Sequence, residues 1–412
     1  MSVLLSARCA ASRVANDFRR RAAVPAGLAG LLSLAACGGG GGGGDVAASA
    51  YKPSTLVEVA TVVTPAAAPS VSAALVAPTL AAAIVAPALP VATAAPASTT
   101  ATLAPATAVS EVSFAASSFW YAAIPANAPL HANSSGFVAE FLRQKKAYYG
   151  TVNINTSAYA SPVYFAAADT PTAKVGFSNC QNKSYPEPAL EAQWSAVPIP
   201  AFALPADGTD AEMTVYQAST DTMWEFWVTR ATAGGWQACW GGKMSNVSHS
   251  DGTWPFPYGT TATGLPVVGG QITAEELSRG EIRHAIGISL VDTETASVVS
   301  WPARRSDGYN PQGAPNRIPE GLRFRLDPAI DVEALSMSTA GKIIARAAQK
   351  YGFVVWDKAG ALSIRAQNPK SYTALGKPDP YVALFAGQPA YAVLNGFPWD
   401  RLQFLPKDFG KP

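Results

Sequence analysis

Residues 113–412 predict a mainly β body, an antiparallel β-sandwich or jelly roll with about three packed helices at its margins. Three observations point to it. Short β-branched or aromatic runs recur between turn residues. Two of these runs form successive hairpins dense in aromatics, which implies strands buried on much of both faces. Only three stretches combine helical periodicity with capping signals, so sheets outnumber helices as core-building units.

The strands follow in order. Ser161-Pro-Val-Tyr-Phe is short and aromatic. Glu212 to Gln217 alternates and turns at Ser219-Thr-Asp221 into Thr222 to Thr232, with Trp224 and Phe226 on one face and Met223 and Trp227 on the other. Gly234-Gly235 turns the chain again into Trp236 to Met244. Ile282 to Val291, Ser297 to Trp301, Leu322 to Leu326 and Phe353 to Asp357 supply further strands, and Lys358-Ala-Gly360 reads as a hairpin turn into Ala361 to Arg365. Among the helices, Ser135 opens one whose Phe137, Val138, Phe141 and Leu142 share a face. Thr273-Ala-Glu-Glu276 is a capping box stopped at Gly280. Ser338 or Thr339 opens a third helix with Ile343, Ile344, Ala347, Ala348 and Tyr351 inward, stopped at Gly352.

The chain before this body has a different character. Residues 1–36 combine an Arg-rich start (Arg8, Arg13, Arg19, Arg20, Arg21) with an apolar core from Ala22 to Ala36. They read as a signal peptide, since a spanning helix needs about 20 apolar residues in a row. Leu34-Ala35-Ala36-Cys37 resembles a bacterial lipobox, which implies a lipid on Cys37 and a membrane link through it. Gly38 stands where an Asp favours inner-membrane retention in such lipoproteins, so the resemblance implies an outer-membrane or cell-surface location. Residues 37–112 hold a glycine run and then an Ala/Pro/Val/Thr/Ser-rich stretch in which proline interrupts every apolar run. This is a tether, with a reach of up to ~200 Å in polyproline-like form.

Composition excludes several functions. The signal segment carries five basic residues and one acid, so its removal turns the formal charge from +2 to −2. A near-neutral chain lacks the basic excess that neutralises phosphates, and nucleic acid is not an expected partner. Only His131, His249 and His284 are present, and no CxxC or Cys/His cluster has ligand spacing, so neither a metal nor a cofactor is expected. The glycine pairs do not open a phosphate loop, and Ser245 and Ser248 lack a GxSxG context. With Cys9 in the leader and Cys37 lipidated, Cys180 and Cys239 remain, a pair expected to form a disulfide in an oxidising compartment.

Several segments resemble a family of secreted bacterial proteins of unassigned function. They include Ser118-Phe-Trp-Tyr, Ser219-Thr-Asp-Thr-Met-Trp-Glu-Phe-Trp227, Gly264-Leu-Pro-Val-Val-Gly-Gly270, Gly280-Glu-Ile-Arg-His-Ala285, Trp301-Pro-Ala-Arg-Arg-Ser-Asp-Gly308, Ile318-Pro-Glu-Gly-Leu-Arg-Phe-Arg-Leu-Asp327 and Phe397-Pro-Trp-Asp400. The resemblance implies secretion and a shared fold. This chain departs from it at Asp210-Ala211-Glu212, where a His is common in the family.

Three constellations carry candidate chemistry. Asp210 and Glu212, at i and i+2 of a strand, project to one face beside Glu225 of the next strand. Paired carboxylates are what glycoside hydrolysis requires, and Trp224 offers a flat face to a sugar ring. The competing reading is solvated carboxylates and core tryptophans. The second constellation joins His284 to Arg283, Arg304, Arg305 and Tyr309, a base and cation set suited to eliminative cleavage of a uronic polymer; its rival is a hydrogen-bonded core His beside a solvated loop. The third is non-catalytic: Trp254, Tyr258 and Trp301 lie in Pro/Gly-rich stretches and form a binding platform or lids over a satellite core. The resulting expectation is an envelope lipoprotein that binds or cleaves an extracellular polysaccharide. The alternative is a non-catalytic surface scaffold that binds protein partners.

Overall fold

Thirteen strands in three sheets and seven helices organise the described residues, 111–412 of a computed structural model. The signal peptide, Cys37 and nearly all of the tether lie outside those residues.

The larger sheet has the order β1 (Asn153–Asn155), β12 (Ser363–Arg365), β9 (Ile286–Leu290), β11 (Phe353–Lys358), β10 (Arg323–Leu326), β13 (Leu402–Phe404). A four-stranded sheet follows the order β2 (Val163–Phe165), β4 (Met213–Gln217), β5 (Thr222–Trp227), β8 (Trp240–Ser245). The third sheet sets β3 (Val175–Phe177) beside β7 (Gly235–Ala238), which pairs with β6 (Arg230–Thr232).

The pairing is mixed, which replaces the expected antiparallel sandwich or jelly roll with an α+β arrangement. β1 with β12, β9 with β11, β2 with β4 and β3 with β7 all run parallel. Parallel neighbours need a crossover connection. Between β9 and β11 it includes the helix Thr339–Lys350. The three helices expected from sequence are present as Ser134–Ala147, Ala274–Arg279 and Thr339–Lys350, and four further helices of four to six residues accompany them. Ser338 caps the last of the three by accepting from Gly341 N. Thr273 and Glu276 close the capping box reciprocally, and Gly280 takes φ +81°.

Two expectations about strands fail for identifiable reasons. Ser297–Trp301 forms no strand: Val298 N closes a turn on Thr295 O, and Ser300 N donates to Glu320 O. Lys358-Ala-Gly360 is no hairpin turn, because β9 lies between β11 and β12. The aromatic meander holds in modified form, since β5 pairs directly with β8 while β6 and β7 leave as a side hairpin. Trp224 and Phe226 join one apolar cluster and Met223 another, so β5 is buried on both faces.

The larger sheet alternates except at one bulge in β11. Ile154, Ile364, Ile288 and Val355 stand in register across four strands and face the main core, where Phe141 and Ile344 of two helices meet them. Each such fully buried side chain contributes roughly 1.5–3 kcal/mol. The opposite face carries Asn153, Ser363, Ser289 and Asp357 in one register row, with Asn155 opposite Arg365 in the next. A register shift between Val355 and Asp357 places Asp357 opposite Ser289, so the extra residue, Trp356, turns the aspartate onto the polar face. Cys180, just after β3, and Cys239, between β7 and β8, form a disulfide. Among the described residues no helix is long and apolar enough to cross a membrane.

Candidate functional site

The polar face of the larger sheet floors a cavity of about 780 Å³. Asn153 and Asn155 of β1, Ser363 and Arg365 of β12, and Ser289 of β9 line it. Asp210 and Asp307 add carboxyls to its wall, and Tyr149 and Tyr159 add aromatic rings. Tyr149 is 82% exposed and Tyr159 41%.

Arg365 organises this floor. Its Nη1 donates to Glu212 Oε1 at 2.5 Å and its Nη2 to Asp357 Oδ2 at 3.0 Å. All three side chains are at most 5% exposed. The guanidinium therefore ties the larger sheet to the residue that leads into β4. Burial works against its charge, yet Glu212, Asp357 and Asp210 outweigh that and raise its pKa. Burial also lifts the Glu212 carboxyl; Arg365 opposes the rise and Asp210 adds to it. Asp357 sits well above its ordinary value, chiefly through burial, with Asp307, Glu212 and Asp210 reinforcing it against Arg365.

A fifth carboxyl completes the group. Glu320 is fully buried, with its carboxyl in hydrogen-bonding reach of Asp307 and Ser306. Burial first, then the neighbouring Asp307, push its pKa well up and favour its protonated form. Gly321 fixes its place: at φ +84°, any Cβ on this residue would lie 1.7 Å from Ser300 O. The backbone beside Asp210 is strained. Ala211 adopts φ +38° and the β-branched Val228 φ +54°, held by Val228 N donating to Asp210 O and Thr229 N to Ala211 O. Strain of this kind costs on the order of 1–3 kcal/mol per residue and concentrates at functional sites.

Of the sequence-derived candidates, Asp210 and Glu212 join this group. Glu225 lies apart, fully buried on β5. Its Oε2 accepts from Thr260 Oγ1 at 2.8 Å and Trp254 Nε1 at 3.3 Å, and its Oε1 from Val268 N. Burial pushes its pKa to about 7 against these bonds. A folded value above the ordinary one means stability is fully present at acid pH and is lost as pH rises toward 7. Glu225→Gln is expected to remove roughly 3 kcal/mol of that pH-dependent fall. Urea midpoints at pH 5 and pH 8 read it, and an unchanged pH slope in the variant contradicts the assignment.

His284 lies in a second cavity, of about 590 Å³, with Tyr121, Glu276, Arg279 and Arg283. Its Nε2 meets Glu276 at 3.2 Å and its Nδ1 meets Ala285 O at 2.9 Å. Burial opposes the charged ring, but Glu276 outweighs it and raises the pKa. With both nitrogens engaged, this imidazolium has no free lone pair with which to take a proton. Arg304 and Arg305 are not beside it. Arg305 donates to the carbonyls of Pro257, Gly259, Thr261 and Ala262, and Arg304 to Trp254 O, so both pin a loop.

The aromatic candidates are dispersed. Trp224 and Trp254 are buried, with Trp224 Nε1 donating to Gln193 O. Tyr258 packs near Trp240 and Trp301 against Phe119, both half-buried, while Tyr309 is exposed. The chain matches no known family, curated protein or solved structure.

Asp307, Glu320, Asp357 and Arg365 were missed in the sequence. Two carried a signal: Asp357 ends the apolar run Phe-Val-Val-Trp, and Arg365 closes Leu-Ser-Ile. A charge inside such a strand requires a buried partner.

Proposed function

We propose that this protein is an envelope lipoprotein, anchored through Cys37, whose body binds and hydrolyses an extracellular polysaccharide in the cavity over β1, β9 and β12. The observation that carries the reading is the joining, on one cavity wall, of Asp210 and Asp307, backed by carboxyls that burial holds toward protonation. Glycoside hydrolysis needs one carboxyl to give a proton to the leaving oxygen and a second to attack or to activate water. Asp307, which adjoins Glu320, and Asp210 are the two wall carboxyls available for these roles. The amides and hydroxyls of Asn153, Asn155, Ser289 and Ser363 match sugar hydroxyls, and Tyr149 and Tyr159 offer rings for stacking.

Reducing ends released from a panel of neutral, amino and uronic polysaccharides test the proposal. They are expected to appear without the ultraviolet band of unsaturated uronates, since His284 has no nitrogen free to act as an eliminating base. Asp307→Asn is expected to lower both retention on the glycan and its turnover at least tenfold. A panel on which the protein neither binds nor cleaves any member overturns the reading and leaves the non-catalytic scaffold in its place.

A further inference from the structure

We infer that the cavity beside His284 is a second binding site, which takes a short, neutral, apolar peptide in extended form. It is separate from the glycan cavity and does not depend on that reading.

A buried amide carries the first argument. Gln271 and Gln367 both line this cavity of about 590 Å³, at 2% and 3% exposure. Gln271 is spent: its Oε1 accepts from Ser161 N and its Nε2 donates to Ser161 O, both at 3.0 Å. Gln367 is open. Its Nε2 has no acceptor among the described residues, and its Oε1 meets only Tyr372 Oη, at 3.4 Å. That hydroxyl directs its single proton to Glu275 Oε2 at 2.7 Å. The backbone of Gln367 is fixed on both sides, its N donating to Ile272 O and its O accepting from Tyr381 Oη, each at 2.7 Å. A buried amide held in this way is costly until a ligand fills it. Its adjacent donor and acceptor match another amide, as Gln271 shows with Ser161.

A strand edge is the second and independent argument. Val163 and Phe165 of β2 line the same cavity, and β2 is an outer strand of its sheet. Pro162 O accepts from Thr214 N and Ala166 N donates to Tyr216 O, so alternate residues of this strand face β4. Val163 and Phe165 therefore turn their peptide groups away from it. Val163 N is taken by Ser371 Oγ, which sets Ser371, four residues after Gln367, against that edge. Phe165 remains on the edge, in the cavity that Gln367 lines. An extended peptide satisfies both, by pairing with the edge and returning an N–H and a C=O to the glutamine.

Charge and polarity narrow the class. Each cation lining the cavity already has a carboxylate: Arg279 has Glu111 at 3.1 Å, Arg283 has Glu281 at 2.8 Å, and His284 has Glu276 at 3.2 Å. No charge is left over to select a charged ligand. Phe114, Phe165 and Val268 supply apolar wall, which suits aliphatic side chains and opposes the ring hydroxyls of a sugar.

Magnetic-resonance titration of the full chain, isotope-labelled at its glutamine side chains, tests the inference. The probe is N-acetyl-alanyl-leucyl-alanine amide, which is expected to bind and to shift the Gln367 side-chain signals. Two ester analogues, each replacing one peptide N–H with oxygen, keep the shape and remove a donor. At least one is expected to bind about tenfold more weakly. Aspartate or lysine in place of leucine should weaken binding about fivefold or more, and N-acetylglucosamine should bind more weakly still. Gln367→Leu is expected to lose about tenfold in binding, with a urea midpoint unchanged or raised, because an unfilled buried amide has gone. A lowered midpoint with unchanged binding marks a merely structural glutamine and overturns the inference. So does a parent peptide that fails to bind, equal binding of both esters or of the charged peptides, or tighter binding of N-acetylglucosamine. The esters alter the ligand alone, so that comparison holds whether or not the variant folds.

Discussion

Arg365→Met is expected to destabilise the fold by about 3–5 kcal/mol, the usual cost of removing one partner from a buried charge cluster. The guanidinium is the only hydrogen-bond donor that Glu212 has among the described side chains, and it also holds Asp357. Without it two buried carboxyls face Asp210 and Asp307 with no cation bonded to them, and they take up protons instead. Their folded pKa values, already raised, rise further in the variant. Stability is then retained at pH below their unfolded values and is lost as pH increases through the folded ones. The deficit is therefore expected to be small near pH 4 and largest near pH 8, in urea unfolding at both values. Arg365→Lys should recover little, because one ammonium cannot make the forked bond to two carboxylates. A triple variant that also carries Glu212→Gln and Asp357→Asn should recover most of it, since the uncompensated charges are gone. A single variant that loses under 1 kcal/mol at pH 8 contradicts the burial of this cluster.

The same cluster shows what could be read from the chain and what could not. Local signals were legible. The Thr273–Glu276 capping box, the Ser338 cap, the turn at Gly234-Gly235 and the alternation of β4 and β5 each depend on residues within a few positions of one another. Asp210 and Glu212 were singled out as an i, i+2 pair of one strand, but β4 begins only at Met213 and Ala211 between them takes φ +38°, so strand periodicity does not place them. What escaped depends on pairing over long separations. Asp307, Glu320, Asp357 and Arg365 meet because β9 inserts between β11 and β12 and a bulge at Trp356 turns Asp357 over. Alternation within a strand does not announce either event. It equally cannot distinguish a parallel neighbour from an antiparallel one, which is why the sandwich expectation gave way to mixed sheets. Trp224 and Trp254 illustrate the opposite error: an aromatic between turn residues looks available, yet a distant segment covers it.

Reducing the Cys180–Cys239 bond is expected to lower stability by about 4 kcal/mol, from the loop it closes in the unfolded chain. The two cysteines are 59 positions apart, and the loop between them contains β4, β5, β6 and β7. Asp210 and Glu212 themselves therefore lie inside it. The bond also fastens the three-stranded sheet next to β8, where Lys183 Nζ sits 3.6 Å from the Trp240 ring centroid. Cys239 is fully buried, so a reductant reaches it only through opening of that corner. A Cys180→Ser/Cys239→Ser variant gives the equilibrium value by urea unfolding, free of that kinetic barrier. A variant within 1 kcal/mol of the parent would mean that β3 and β7 already hold the loop closed through their own pairing. The bond would then slow unfolding rather than shift the equilibrium, and the unfolding rate would be the quantity that changes.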